Sequence, residues 1–452
     1  MIQKQTENRT MLTDLYQLTM GAAYFENGKN DMASFELFIR KLPKDWGFFI
    51  ANGIEDAIDY ATNMKFESED IEFLREQNMF SENYLNFLRE FKFNGEIHCV
   101  KEGTPIVPNT PIMGVRGPRI EAQLLETMLL NCVNFGTLIA TKANRIVNAA
   151  APGKVVDYGL RRAQEMGAAM KGARAAYIAG AIGTSNVLAG KEFGIPIFGT
   201  HAHSFVMSFT SELEAFRAYV KTFPNNPTLL IDTYDTLQGA RNAAIVGKEL
   251  SREGKKLGAV RIDSGDLAKI SGEVRTILDN ERLRNVRIMA SNDLNEFKIK
   301  DMNNKGARID GYGVGTELIT AKPIAAVPGV YKLVEDEEGA KIKLSAEKKS
   351  YPGRKQVYRV CKNGTNLYDV LALEGENVQG TPLLEKVVEN GQRTVCRRTL
   401  NEIREYCMSE VAKMPLETRN VFAEAYEVKE SEGLKQLVNV LSRKYSTKEA
   451  QA

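Results

Sequence analysis

Cysteine and histidine are scarce in this 452-residue chain, at five and three copies. Cys99, Cys132, Cys361, Cys396 and Cys407 lie far apart, are odd in number and form no C-x-x-C pair, which argues against a disulfide framework and a zinc knuckle. A reducing cytoplasm is therefore the expected compartment. Charge of one sign is lacking too: 60 Lys plus Arg face 58 Asp plus Glu, a formal charge of +2, so binding of nucleic acid through a basic surface is not expected. No apolar run approaches the roughly 18 residues of a bilayer span. The opening MIQKQTENRTMLTDLYQLTM lacks the basic start and apolar core of a secretory signal, so a soluble protein without a membrane partner is the expectation.

What is present is a chain long enough for two or three domains of roughly 150 residues. Residues 1–135 mix amphipathic helical segments, SEDIEFLREQ and SENYLNFLREF, with Pro- and Gly-punctuated pieces in HCVKEGTPIVPNTPIMGVRG, as in a small α/β sandwich domain. A helix should open at Pro118, because Ile120, Leu124, Met128 and Cys132 recur at four-residue spacing. Within residues 136–329, seven short apolar runs end in polar or glycine-rich residues at a spacing of roughly 20 to 33 residues: KVVDYG, AAYIAGAIGTSN, IPIFGTHAHS, TLLIDTYD, AVRIDSGD, RIMASNDL and IDGYGVGTE. That rhythm predicts an α/β fold, an irregular (β/α) barrel with its chemistry at the carboxyl ends of the strands. Residues 330–452 read as strands with charged turns returning to the first domain, then helices over 400–442, with a frayed last ten residues.

The polar tips are the candidate site. Arg261, Asp263, Ser264, Gly265 and Asp266 crowd one strand end; the arginine offers a planar fork for a carboxylate or phosphate, and the acids suit magnesium or sugar hydroxyls. The bland reading is a self-satisfied Arg–Asp pair capping a helix. Asp232 to Thr236 form a similar tip that could bind metal-complexed pyrophosphate, for which a solvated strand end with an N-cap Asp is the simpler reading. His201 and His203 alternate in FGTHAHS, which on an extended segment points both to one face, and no third Cys or His lies nearby to complete a zinc site. Gly311, Gly313 and Gly315 have the wrong spacing for a dinucleotide fingerprint but could expose consecutive amides to a phosphate. Arg161 and Arg162 follow the first strand, either lining the same mouth or salt-bridged at a helix start, and Tyr16, read by itself, is a core or interface residue.

Taken together, LTDLYQLTMGAAYF, FELFIRKLP, VDYGLRRAQ, GAIGTSNVLAG, FGTHAHSFVMSF, LLIDTYDT, GVGTELIT and VYKLV resemble the nicotinate phosphoribosyltransferase family, in family order over about three quarters of the chain. The resemblance implies the type II phosphoribosyltransferase fold, an irregular α/β barrel with an α/β sandwich domain, and a homodimer with shared active sites. It implies that nicotinate and phosphoribosyl pyrophosphate give nicotinate mononucleotide, the first step of NAD salvage from nicotinate, coupled to ATP as co-substrate. Mg2+ on the pyrophosphate is expected, with the acids that hold it unassigned. Carried over by position, His203 matches the family's phosphorylated histidine, Thr200 and Arg261 match nicotinate-binding positions, and Tyr16 matches an aromatic that meets the pyridine ring. Thr316 matches a position for the ribose-phosphate substrate, and Arg161 is similar to an active-site arginine. Asp263 joins the expected catalytic set, and Ser204, Ser264, Gly265, Asp266, Gly313 and Gly315 the expected binding set. The rival readings are a nicotinamide-using relative, disfavoured by Asp266 where that family tends to carry Asn, and a non-catalytic barrel that binds a phosphorylated metabolite.

Overall fold

Strand-forming runs from both ends of the chain meet in one sheet. In the computed structural model, which describes residues 10–344 and 350–449, the strand Met32–Ile39 pairs antiparallel with Met113–Pro118 on one side and Gly329–Asp336 on the other. Seven of its eight residues are buried, as befits a central strand covered on both faces. Glu96–Val100, Leu384–Glu389 and Gln392–Arg393 extend the sheet beyond Met113–Pro118, and Gly339–Ala340 ends the other edge. Lys355–Lys362 and Thr365–Leu373 form the centre of a second, four-stranded sheet. These strands belong to one unit, residues 1–138 with 326–452; residues 139–325 form the other.

Helices of the first unit follow their local signals. Ser68–Glu76 is opened by a reciprocal capping box between Glu67 and Asp70, and Glu82–Arg89 by Ser81, whose hydroxyl accepts from the Tyr84 amide. Ile120, Leu124, Met128 and Cys132, the stripe read from the sequence, are all at most 4% exposed. By length and composition Arg119–Ala150 is the one described helix that could cross a bilayer; its most apolar 18-residue stretch has a mean hydropathy of 1.3 and is 67% buried inside the protein, as in a core helix. This corrects the expectation that no run comes near a span: small and aliphatic residues raise the average, although Lys142 and Arg145 lie within the helix. The helix Glu432–Glu449 covers residues 443–449 of the stretch expected to fray, since extending a formed helix costs little compared with starting one, and residues 450–452 lie outside the described residues. Part of the predicted strand region, residues 345–349, lies outside the described residues.

In the second unit, the strands Lys154–Asp157, Gly311–Val314, Arg287–Ala290, Ala259–Ile262 and Thr228–Leu230 form a parallel sheet in that spatial order. Parallel bridges from Asp157 to Thr184 and from Thr184 to Ile197 continue it. Numbered along the chain, the seven segments therefore run third, second, first, seventh, sixth, fifth, fourth, which is the neighbour order of a barrel with a seam between third and fourth. Val260, Ile262, Ile288 and Val314 are fully buried, and each such side chain contributes on the order of 1.5–3 kcal/mol. Because all segments are parallel, their carboxyl ends gather on one side.

Candidate active site

Arg261 stands near the end of Ala259–Ile262, with its side chain 15% exposed. Its Nη1 donates to Ser291 Oγ at 3.2 Å; its Nη2 donates to the His201 carbonyl at 2.9 Å and reaches Thr200 Oγ1 at 3.5 Å. Ser291 passes the contact on by donating to Asp263 Oδ1 at 2.5 Å, and that oxygen lies 3.7 Å from Arg261 Nη1. The Arg–Asp pair foreseen as the bland reading thus exists, but it is shared with a serine from the next strand. The guanidinium is held from the ends of the sixth and third segments, a fixed planar donor array.

Asp232 corrects its reading as a solvated residue. It is 8% exposed, and its Oδ2 accepts the Asp263 amide at 2.8 Å and the Ser264 hydroxyl at 2.7 Å, locking two strand ends together. Asp232 Oδ1 is buried without a hydrogen-bond partner. The helix cap in that tip is Asp235, which accepts from the Gln238 amide at 2.7 Å. In the neighbouring tip, Gly265 has φ of +82°, a conformation that L side chains resist. Asp266 caps the helix Leu267–Asn280 by accepting from the Lys269 amide at 3.2 Å.

The two histidines do not share a face, because the extended run ends before His203, which opens the short helix His203–Met207. His203 is 41% exposed at its side chain; Nδ1 lies 3.2 Å from Thr233 Oγ1 and Nε2 lies 3.9 Å from Asp263 Oδ2. Ser204 follows it and is exposed. His201 instead is 7% exposed and packs edge-on against Tyr219 at 4.6 Å between ring centres. Its Nε2 accepts the backbone N–H of Leu230 at 3.2 Å, spanning the seam between the third and fourth segments. Burial, with smaller contributions from Arg261 and His203, pulls the imidazole down to about 4, so it is neutral near pH 7 with its proton on Nδ1.

The glycine turn is shorter than the sequence suggested. Gly311–Val314 is a buried, paired strand, so no row of exposed amides begins at Gly311. Gly313 is needed for close approach: a Cβ there would lie 2.4 Å from the Tyr158 ring. The chain turns at Gly315, and Thr316 opens the helix Thr316–Ile319, both half-buried. Arg161 and Arg162 lie exposed in the turn Leu160–Arg162 directly after the first strand. Asp157, 1% exposed, holds that strand end by accepting from Thr184 Oγ1 and the Gly159 amide, each at 2.7 Å. Tyr16 lies in the other unit, in the helix Leu15–Glu26; burial, then Glu126 and Asp14, push its hydroxyl up to about 12.

Residues not singled out from the sequence complete the arrangement: Tyr158, Ser291 and Tyr219. Burial raises the pKa of the Tyr158 hydroxyl, while Arg261 acts to lower it and Asp263 to raise it. Among the described residues no group of three or more His, Cys, Asp or Glu is placed to hold a metal, so an all-protein magnesium cage is not formed. A magnesium ion carried on substrate phosphates needs only one or two carboxylates. Asp263 and Asp232, with its unpartnered oxygen, fit that demand.

Arginine, carboxylates and a hydroxyl-bonded histidine on the carboxyl ends of parallel strands are the arrangement expected of an α/β-barrel enzyme for small anionic substrates. Comparison with known proteins narrows the class. Residues 11–134 match the nicotinate phosphoribosyltransferase N-terminal domain, 153–323 the nicotinate phosphoribosyltransferase family and 375–438 its C-terminal domain. The chain is 41% identical over 412 residues to nicotinate phosphoribosyltransferase pncB2 of Mycobacterium tuberculosis, covering 91% of this chain and 89% of that one. It is 44% identical over 383 residues to the nicotinate phosphoribosyltransferase of Bacillus subtilis, covering 82% and 78%. The crystal structure of human nicotinic acid phosphoribosyltransferase superposes with a TM-score of 0.82 at 28% identity, covering 95% of this chain and 99% of that chain. The chain belongs to the nicotinate phosphoribosyltransferase family and has its type II fold.

The seam contact carries a pH dependence. Because the folded-state pKa of His201 lies below its unfolded value of about 6.5, the unfolded chain binds more protons between these values. Stability should therefore fall as pH drops from about 6.5 towards about 4. Urea midpoints across this window should decline more steeply for the native protein than for His201→Gln; equal slopes would show that His201 is not the group responsible.

Proposed function

We propose that this protein transfers the 5-phosphoribosyl group of phosphoribosyl pyrophosphate to the ring nitrogen of nicotinate, with ATP hydrolysis coupled through a phosphorylated His203. The observation that carries the reading is Arg261, fixed by Ser291, Thr200 and the His201 carbonyl. A guanidinium so restrained suits a planar carboxylate, which nicotinate has and its amide lacks. Thr200 belongs to the same nicotinate end, Thr316 and Gly315 to the ribose-phosphate end, and Arg161 is available to the departing anion.

A pyridine nitrogen carries its lone pair already, so no strong base is required. The C1–oxygen bond to pyrophosphate breaks, the oxygen keeps the electron pair, and the nitrogen–C1 bond forms. C1 becomes cation-like on the way, so the site's work is to hold both substrates in line and stabilise opposite charges. Asp263 is placed to offset positive charge, and arginines to offset the leaving anion. Magnesium, when bound through Asp232 and Asp263, would neutralise part of the pyrophosphate charge.

For phosphorylation, His203 is suited by its Thr233 contact. With Nδ1–H donating to Thr233 Oγ1, Nε2 presents a lone pair; the Nε2–phosphorus bond forms as the bond from the γ-phosphorus of ATP to its leaving oxygen breaks and ADP departs. Asp263 Oδ2, 3.9 Å from Nε2, favours the charge that develops on the ring. A homodimer belongs to the proposal: Leu12, Leu15 and Tyr16 are 56%, 53% and 45% exposed, an apolar group suited to reaching a second copy's site. So does a cytoplasmic location, which suits five free cysteines, two of them exposed.

Two substitutions test these roles. His203→Asn should form product without coupled ATP hydrolysis, measured as ADP released per nicotinate mononucleotide; unchanged coupling contradicts the phosphohistidine. Arg261→Ala should raise the KM for nicotinate roughly ten- to a hundredfold, as loss of a charge-assisted hydrogen bond costs about 1.5–3 kcal/mol. The KM for phosphoribosyl pyrophosphate should change far less, and equal small effects would refute a carboxylate role.

A further inference from the structure

A deeply buried ion pair of the second unit sits at a place the chemistry above does not use. Lys142 and Glu296 are 1% and 2% exposed at their side chains. Lys142 Nζ donates to Glu296 Oε2 at 2.6 Å and to the Lys322 carbonyl at 2.8 Å, and lies 4.0 Å from Glu317 Oε2. Arg145 Nε donates to the other oxygen of Glu296 at 3.2 Å, and Lys322 Nζ lies 3.4 Å from Glu317.

Each acid stands directly behind a strand-end loop. Glu296 opens the helix Glu296–Asn304, just after the loop that starts with Ser291, the partner of Arg261. In that loop Asn292 and Asp293 have φ of 107° and 38°, conformations that non-glycine residues keep only when their surroundings enforce them. Glu317 follows Thr316 in the glycine turn. One ammonium thus joins the loop behind Arg261 to the turn that carries Thr316. Buried ion pairs are weak sources of net stability, because desolvation offsets their attraction, but their hydrogen bonds are directional.

We infer that Lys142 is a positioning residue, whose contacts with Glu296, the Lys322 carbonyl and Glu317 set the separation between the nicotinate end and the phosphoribosyl end of the site. The inference rests on the proposed activity. Formation of nicotinate mononucleotide by the native enzyme is therefore measured first, and its absence would sink that activity, whereas the variants below address Lys142 alone.

Glu317→Gln keeps the volume and leaves the Lys142–Glu296 pair in place while removing the charge beside Thr316. It should raise the KM for phosphoribosyl pyrophosphate about tenfold, leave that for nicotinate nearly unchanged, and barely move the melting temperature. The double variant Lys142→Met/Glu296→Gln avoids a stranded carboxylate and keeps an acceptor for Arg145; its folded fraction should lose kcat and bind both substrates more weakly. Lys142→Arg, which retains a donor cation, should recover part of that loss. A role confined to stability would lower the melting temperature of the double variant and leave its kinetic constants per folded molecule as in the native enzyme. That result, or a Glu317→Gln enzyme with both KM values unchanged, would overturn the inference.

Discussion

The restraint of one guanidinium organises this site. Arg261 is too long and too free in rotamers to select a planar ligand unless its neighbours hold it, and those neighbours come from other segments: Ser291 from the sixth, Thr200 and the His201 carbonyl from the third. The barrel order brings the fifth and sixth strands side by side. Contact with the third segment requires that the seam be spanned, and the His201 imidazole does so by accepting the Leu230 amide. A neutral histidine buried among aromatic rings serves here because it supplies an acceptor without the cost of burying a charge. Fold and site are coupled through this residue, whose ring closes the gap while its carbonyl holds the arginine.

The acids divide by burial. Asp157 and Asp232 are almost wholly buried and shape strand ends: Asp157 accepts from an amide and a hydroxyl, one oxygen of Asp232 does the same, and the other Asp232 oxygen has no partner. Asp263 is partly exposed, between His203 and Ser291, and is more accessible than Asp232, the other carboxylate with capacity for a ligand. Asp235 and Asp266 cap helices. Their similar appearance along the chain conceals three kinds of duty.

Much of this was legible beforehand because apolar runs that end in polar tips have a strong signature in a parallel α/β fold. The seven runs and the stripe from Ile120 to Cys132 follow from periodicity alone, and eight motifs in family order, FGTHAHSFVMSF and LLIDTYDT among them, carried the family. The partnerships were not legible. Ser291 matters only because strand order sets it beside Arg261, 30 residues away in the chain, and Lys142 meets Glu296 across 154 residues. Alternation misled for His201 and His203, since a helix starts between them, and the row of exposed amides expected from Gly311 fails because that stretch is a buried strand in which Gly313 accommodates the Tyr158 ring. A tyrosine directly after an apolar run, opposite a glycine-rich strand, was the available sign of that contact.

In the proposed reaction a carboxylate-selecting arginine and a phosphate-accepting histidine act together at these strand ends. Product analysis of the native enzyme tests it most directly, with labelled nicotinate or nicotinamide, phosphoribosyl pyrophosphate and magnesium, with and without ATP. The expected result is nicotinate mononucleotide and pyrophosphate from nicotinate, formation driven further by ATP with release of ADP, and little product from nicotinamide. Equal use of both bases, or no response to ATP, would contradict it.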